Sequence, residues 1–155
     1  MVIQGDAEKK VAADEYFSGQ PARFFKNGGI LTAVLVPAAG TGFGFGYRKQ
    51  TVASMGFSLM TVAAFLQIEG RTVKNARVAA GAGIPFPSRL TAVEDAVKGQ
   101  AVKEGLFADA AARGLGGLKF KSSAGMSEEY IANLAKVLVC DALAEAWQAA
   151  KGGAS

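Results

Sequence analysis

The apolar positions in the first half of the chain form short runs that are rich in β-branched and aromatic residues. Two of these runs are "ILTAVLVP" at residues 30–37 and "LMTVAAFLQI" at residues 59–68. Runs of this composition predict strands, and Pro37 ends the first one because proline has no N–H to donate. The second run and "TVKNARVAAGA" at residues 72–82 flank the turn "EGR", which predicts an antiparallel hairpin.

The second half has the spacing of helices. Ser127 precedes a stretch in which apolar residues recur every three or four positions until "KGG" at residues 151–153: Ile131, Leu134, Ala135, Leu138, Ala142 and Ala146. This pattern predicts an amphipathic helix of about six turns, capped by Ser127. Strands followed by helices indicate an α+β fold, with an antiparallel sheet of about three to four strands and helices packed on one face.

Shorter helices are predicted at residues 11–18 and 105–114, and a third follows "TAVE" at residues 91–94. The last sequence fits a capping box, in which a hydroxyl and a carboxylate bond the free N–H groups at the start of the helix. Gly99 is expected to end this helix, because glycine readily adopts the left-handed conformation of a helix terminus.

Glycine alternates with threonine and aromatic residues in "GTGFGFGY" at residues 40–47. If this segment is a strand, one of its faces carries only hydrogen atoms, because four residues share that face: Gly40, Gly42, Gly44 and Gly46. A bare face lets something flat lie against the backbone, either a ring system or another main chain. The alternative is a twisted or bulged strand in which the glycines relieve crowding. The spacing does not match a dinucleotide-binding fingerprint.

Composition narrows the function classes. The chain has 155 residues, 50% of them hydrophobic, which suits one compact domain or one domain plus part of another. Histidine is absent and there is one cysteine, so neither an internal disulfide nor a thiolate zinc cage is expected. The net charge of +4 is scattered along the chain, and no apolar run reaches the ~20 residues of a membrane span. We expect a cytoplasmic protein with no metal, no nucleic-acid partner, no membrane role and no catalytic acid, base or nucleophile.

Three segments together carry a resemblance to a known family. "ILTAVLVP", the strand bearing "YRKQ", and the hairpin with the following "GIPFPSRLTAVEDAVKGQ" resemble the carboxy-terminal part of the FAD-binding subunit of molybdenum hydroxylases. This family includes the carbon monoxide dehydrogenase flavoprotein and xanthine dehydrogenase. The most specific part is the spacing of five residues after the hairpin: Pro87, Arg89, Glu94, Val97 and Gly99. "EEYIANLAKVLVCDALAEA" at residues 128–146 resembles the closing helix of the family.

The resemblance implies two parts, with residues 1–40 as the tail of an FAD-binding domain and residues 41–155 as the flavoprotein carboxy-terminal domain. It implies FAD as the cofactor of the complete subunit. In such complexes electrons pass from a molybdenum centre through iron–sulfur clusters to FAD and then to an acceptor. The implied partners are therefore molybdopterin-containing and iron–sulfur subunits, or an amino-terminal flavin domain.

The same resemblance implies candidate cofactor-binding residues. Leu31 and Lys49 match positions that approach the flavin in the xanthine dehydrogenase branch, where Leu31 would pack against the ring and Lys49 would stabilise negative charge on a reduced flavin. The alternative for Lys49 is a solvated lysine at the end of a strand. Arg89 either contacts a partner subunit or pairs with Glu94 or a carbonyl. Cys140 and Trp147 are expected to pack rather than react or bind.

The chain also departs from the family pattern. The glycine-rich loops that hold the FAD pyrophosphate in the family are not found in these residues, so we expect that the isolated chain does not hold FAD. "TVASMG" at residues 51–56 stands where the family commonly has two arginines and an aspartate, and Ile131 follows Tyr130 where an arginine is usual. The alternative function is therefore a non-catalytic assembly or oligomerisation module. In the family the strand at residues 30–36 pairs with upstream strands, so an unpaired edge or uncovered apolar face is expected here, and with it a homodimer or a tight partner complex.

Overall fold

The computed structural model describes residues 1–5, 7–26, 28–38, 40–53 and 56–152. These residues form two compact units, Met1–Ala39 and Gly40–Ser155. Each unit has its own hydrophobic core.

The first unit is built on a three-stranded antiparallel sheet. Its strands are β1 (Val2–Gln4), β2 (Glu8–Lys10) and β3 (Ile30–Ala33), arranged in the order β2-β1-β3. Helix α1 (Ala13–Phe17) lies where a helix was predicted, and the segment that follows it contains a 3₁₀ helix, Pro21–Phe25. A small core with an aromatic cluster holds this unit together, and its members are Ile3, Val11, Tyr16, Phe24 and Phe25.

Strand β3 is shorter than predicted. It pairs with β1 along one edge, with Ile3 opposite Leu31, and its other edge pairs with no described strand, so the prediction of an unpaired edge is confirmed. Strand β1 has only three residues, too few to show an alternating pattern. The alternative expectation of an uncovered apolar segment is confirmed, because Val34, Leu35 and Val36 follow β3 with 56%, 61% and 81% of their surface exposed.

The second unit is built on a four-stranded antiparallel sheet. Its strands are β4 (Phe43–Thr51), β5 (Ser58–Glu69), β6 (Thr72–Gly81) and β7 (Ser88–Arg89), and they pair in chain order. The predicted hairpin is formed by β5 and β6, and β7 is a short addition after the prolines. Apolar residues on one face of β5 and β6 are buried, including Met60, Val62, Ala64, Leu66 and Val78.

The described residues of this unit also form three helices, α2 (Thr91–Val97), α3 (Leu106–Gly114) and α4 (Glu128–Gly152). Of these, α2 and α4 pack on the sheet. The predicted α+β fold with helices on one face of an antiparallel sheet is confirmed. Ser127 caps α4 as expected, because its Oγ accepts a hydrogen bond from the Tyr130 N–H at 3.1 Å. Gly99 follows α2 with a φ of 76°, which also agrees with the prediction.

The predicted capping box at "TAVE" is wrong. Helix α2 begins at Thr91 after the N-cap residue Leu90, and no side chain bonds its free N–H groups. The Glu94 carboxylate instead accepts hydrogen bonds from Arg89 and from the backbone N–H of Val78. The carboxylate is therefore bonded by two donors outside the helix and not by the N–H groups at the helix terminus.

The glycine-bearing face of β4 lies against helix α4. Strand β4 begins at Phe43, so Gly44 and Gly46 are on the strand, whereas Gly40 precedes it and Gly42 adopts a φ of 74° in a turn. A Cβ added to Gly44 would overlap the carbonyl oxygen of Ala146, and one added to Gly46 would overlap that of Ala142. Of the options left open by the sequence, another main chain occupies the bare face.

We predict that Gly46→Ala destabilises the second unit by about 2–3 kcal/mol, because the added methyl group forces β4 and α4 apart. Urea unfolding followed by circular dichroism measures the change. Gly117→Ala is the matched control, since a Cβ there has no heavy atom within 4 Å. Equal stability of the two variants would contradict the close packing of β4 on α4.

Candidate functional site

The candidate site is the face of the β4-β5-β6 sheet that points away from α4, here called the outer face. Because side chains alternate along a strand, the odd-numbered residues of β4, which point away from the side of the buried glycines, share this face: Phe43, Phe45, Tyr47 and Lys49. Their register partners on β5 are Gln67, Phe65, Ala63 and Thr61. The outer face therefore combines aromatic residues with small and polar ones.

The aromatic side chains of the outer face are unusually open to solvent. Phe45 and Tyr47 are 59% and 47% exposed, and the Phe43 ring stacks on Phe65 with 5.3 Å between centroids. Contiguous exposed apolar surface on a sheet commonly marks a binding surface. These aromatic residues were not among the predicted binding residues, although their alternation with glycine in "GFGFGY" is the sequence signal that could have identified them.

Lys49 lies on the outer face, opposite Thr61. It is exposed, and no described residue forms an ion pair or a side-chain hydrogen bond with its ammonium group. Its charge is thus available to an anionic group that approaches this face. A flavin contact of Lys49 therefore stays a prediction, beside the alternative of a solvated lysine.

The neighbouring Arg48 has a different role. Its guanidinium pairs with Glu145 of α4 and donates to the Tyr47 carbonyl at 3.1 Å, and Glu145 accepts the Tyr47 N–H at 2.9 Å. The ion pair thus satisfies both backbone groups of Tyr47 on the edge of β4 that pairs with no described strand. It closes this part of the edge to another strand.

Leu31, the second predicted flavin contact, lies on β3 in the first unit and is 36% exposed. Leu31 and Lys49 belong to different units, and neither unit by itself brings them together. Their joint role at one site therefore stays a prediction.

Arg89 pairs with Glu94, which was one of the two interpretations of this arginine. Its Nε donates to Glu94 Oε1 at 2.6 Å, and the same oxygen accepts the Val78 N–H at 2.8 Å. Glu94 is 7% exposed, so its charge needs both donors. The pairing of Arg89 with Glu94 is confirmed, and it ties β7 and α2 to β6.

Cys140 and Trp147 are both half-buried, and Trp147 packs against the core as expected. Burial, with a smaller contribution from the Asp141 charge, raises the pKa of the Cys140 thiol. The thiol therefore stays protonated at neutral pH and is a poor nucleophile. In the described residues no cluster of acidic, cysteine and histidine side chains could hold a metal ion, and no helix there is long and apolar enough to cross a membrane.

Comparison with known proteins identifies the family. The family model of the CO dehydrogenase flavoprotein C-terminal domain matches residues 45–146, which lie within the second unit. The chain belongs to this family, and the resemblance seen in the sequence is confirmed. No curated protein sequence matches the chain.

Several solved structures share the fold of this chain. Carbon monoxide dehydrogenase from Hydrogenophaga pseudoflava is 24% identical, with a TM-score of 0.86 over 95% of this chain and 52% of that chain. Quinoline 2-oxidoreductase from Pseudomonas putida 86 is 22% identical, with a TM-score of 0.79 over 100% of this chain and 53% of that chain. CO dehydrogenase from Oligotropha carboxidovorans is 22% identical, with a TM-score of 0.83 over 96% of this chain and 52% of that chain. At these identities the similarity establishes the fold, and the chain spans about half the length of these relatives.

Proposed function

We propose that the chain forms one wall of the FAD site in the flavoprotein subunit of a molybdenum hydroxylase. The match to the CO dehydrogenase flavoprotein C-terminal domain carries this proposal. The fold shared with CO dehydrogenase and quinoline 2-oxidoreductase supports it. When bound, FAD would supply the redox chemistry, receiving electrons from iron–sulfur clusters and passing them to an external acceptor.

Lys49 would act on the charge of the bound cofactor. A cation already bound to a carboxylate would be largely neutralised, but none of the described residues pairs with Lys49. Once a ligand and neighbouring subunits cover the outer face, water leaves and the ammonium group interacts more strongly with a nearby negative charge. This environment would favour the negative charge that a flavin gains on reduction.

Leu31 would contribute an apolar contact with the flavin ring. Its side chain is partly exposed on β3, where an apolar ring could cover it. In this proposal residues 1–40 are the tail of the FAD-binding domain and residues 41–155 are the flavoprotein carboxy-terminal domain. Molybdopterin-containing and iron–sulfur subunits would be the partners of the assembled enzyme.

The residues present fit the ring end of FAD better than its phosphates. The alternating glycines of β4 cannot receive a flat ring, because α4 fills that face. No glycine-rich phosphate loop occurs in the sequence of 155 residues. The chain would therefore supply contacts on the ring side, while another part of the subunit holds the pyrophosphate.

The second candidate is a non-catalytic assembly module with the same fold. The exposed aromatic residues of the outer face and the exposed segment at residues 34–36 favour this candidate, since both offer apolar surface to a partner. A flavin absorption spectrum of the complex purified from its native host distinguishes the two. Flavin in the complex is expected for the first candidate, and a stable flavin-free complex for the second.

We predict that the isolated 155-residue chain does not retain FAD through desalting, because its sequence contains no glycine-rich loop that could hold the pyrophosphate. The chain is incubated with excess FAD, desalted, and examined by absorbance at flavin wavelengths. Stoichiometric yellow cofactor after desalting would contradict this prediction.

We predict that Lys49→Ala, in the assembled complex, lowers the flavin midpoint potential, because the negatively charged reduced flavin loses a neighbouring cation. The thermal stability of the chain should change little, since an exposed and unpaired lysine contributes little to folding. Redox titration and calorimetry provide the two measurements. Lys98→Ala, which removes another exposed lysine, serves as the control. A large loss of stability in Lys49→Ala with an unchanged potential would assign Lys49 a structural role.

We predict that the isolated full chain associates through the apolar segment after β3, as a homodimer when no larger partner is present. Val36→Lys should give a monomer in sedimentation at micromolar concentration, because the charge would have to be buried in the interface. A chain that starts at Thr41 should also be monomeric. Val137→Lys is the control, since Val137 is similarly apolar and 56% exposed on α4. A monomeric full chain would contradict the prediction.

A further inference from the structure

A groove of about 520 Å³ lies in the second unit and shares no residue with the outer face. Its walls come from the turn between β5 and β6, the loop before α3, the start of α3 and the last turns of α4. The volume is in the range of sites for small organic molecules. The proposed flavin site does not use this groove.

Positive charge dominates the groove. Three of its lining residues are cationic and one is acidic: Arg71, Lys103, Lys151 and Glu104. An anionic ligand would therefore be attracted to the groove and a cationic one repelled. Charge complementarity thus selects the sign of the ligand.

Arg71 is held in position before any ligand arrives. Its Nη2 donates to the Val102 carbonyl at 3.0 Å, while the Val102 N–H donates to the Arg71 carbonyl at 2.8 Å. The two bonds join the hairpin turn to the loop before α3. A guanidinium group has five N–H donors in a planar fork, so donors beyond the one bound to Val102 can meet a carboxylate or a phosphate.

The remaining walls of the groove are apolar and aromatic. Trp147 and Phe107 are half-buried and pack against the core, and Val102 is buried. The Lys151 ammonium lies 5.9 Å from the centroid of the Trp147 ring, a cation–π distance that keeps positive charge beside the aromatic surface. A ligand with a flat ring could cover this surface while its charged group meets the cations.

We propose that this groove binds a flat organic anion, an aromatic ring that carries a carboxylate or a phosphate. The ring lies against Trp147 and Phe107, and the anionic group meets Arg71 and Lys103. The ring supplies apolar contact, and the anion supplies charge-assisted hydrogen bonds.

The fluorescence of Trp147 tests the proposal directly, because it is the single tryptophan of the chain. The full chain is titrated with benzoate and with adenosine monophosphate, which separate the carboxylate source from the phosphate source. Benzamide and adenosine keep the rings without the charge, and inorganic phosphate keeps a charge without a ring. Calorimetry provides a readout that does not depend on the indole.

We expect saturable binding of at least one of the two ring-bearing anions, weakened by added salt and much weaker for the three comparison compounds. Arg71→Ala should weaken binding about tenfold or more. Because Arg71 also supports a loop, Lys103→Ala is the second variant, with a smaller loss and no expected change in the circular dichroism spectrum. Lys98→Ala, outside the groove, should bind like the unaltered chain.

Three results would overturn the proposal: no saturable binding of either ring-bearing anion, equal affinity for the uncharged compounds, or unchanged affinity in both folded variants. Flavin retention and flavin potential do not enter this experiment. Its failure is therefore distinguishable from a failure of the proposed flavin function.

Discussion

The close approach of β4 to α4 is the constraint on which the second unit depends. Two glycines on the strand face alanines spaced one helical turn apart, and a Cβ at either glycine would collide with a helix carbonyl oxygen. Backbone packing against backbone leaves no room for a side chain between the two elements. It also fixes the orientation of β4, since turning the strand over would drive Phe45 and Tyr47 into the helix. The exposed aromatic face is thus a consequence of the buried glycine face.

This arrangement divides the residues of β4 into two groups with different roles. Gly44, Gly46 and Arg48 serve the contact with α4, the arginine through its ion pair with Glu145. Phe45, Tyr47 and Lys49 project from the other side of the strand and take no part in the contact with α4. The adjacent residues Arg48 and Lys49 therefore have different roles. Arg48 closes a strand edge, and Lys49 is available for binding.

The residues that make the family recognisable have structural explanations in this chain. Arg89 and Glu94 form a partly buried ion pair that also satisfies a backbone N–H of β6. Removing one partner of such a pair leaves an unpaired buried charge, which typically costs about 3–5 kcal/mol. The spacing of Arg89 and Glu94 is a signature of the fold because it lets the two side chains meet beside β6.

The sequence by itself determined the hairpin, the long capped helix, the α+β class and the family. Each of these rests on local patterns: apolar runs on both sides of the turn "EGR", the spacing of apolar residues after Ser127, and the spacing from Pro87 to Gly99. It did not determine β1, whose three residues are too few for a pattern, and it left open whether the Glu94 carboxylate bonds the terminus of α2 or pairs with Arg89. Two features of β4 depend on α4. The main chain of α4 covers the glycine face, and Glu145 of α4 pairs with Arg48 and leaves Lys49 without a partner among the described residues. Strand β4 ends at Thr51 and α4 begins at Glu128, 77 residues later. No local pattern encodes such a long-range contact, so only the tertiary structure could decide it.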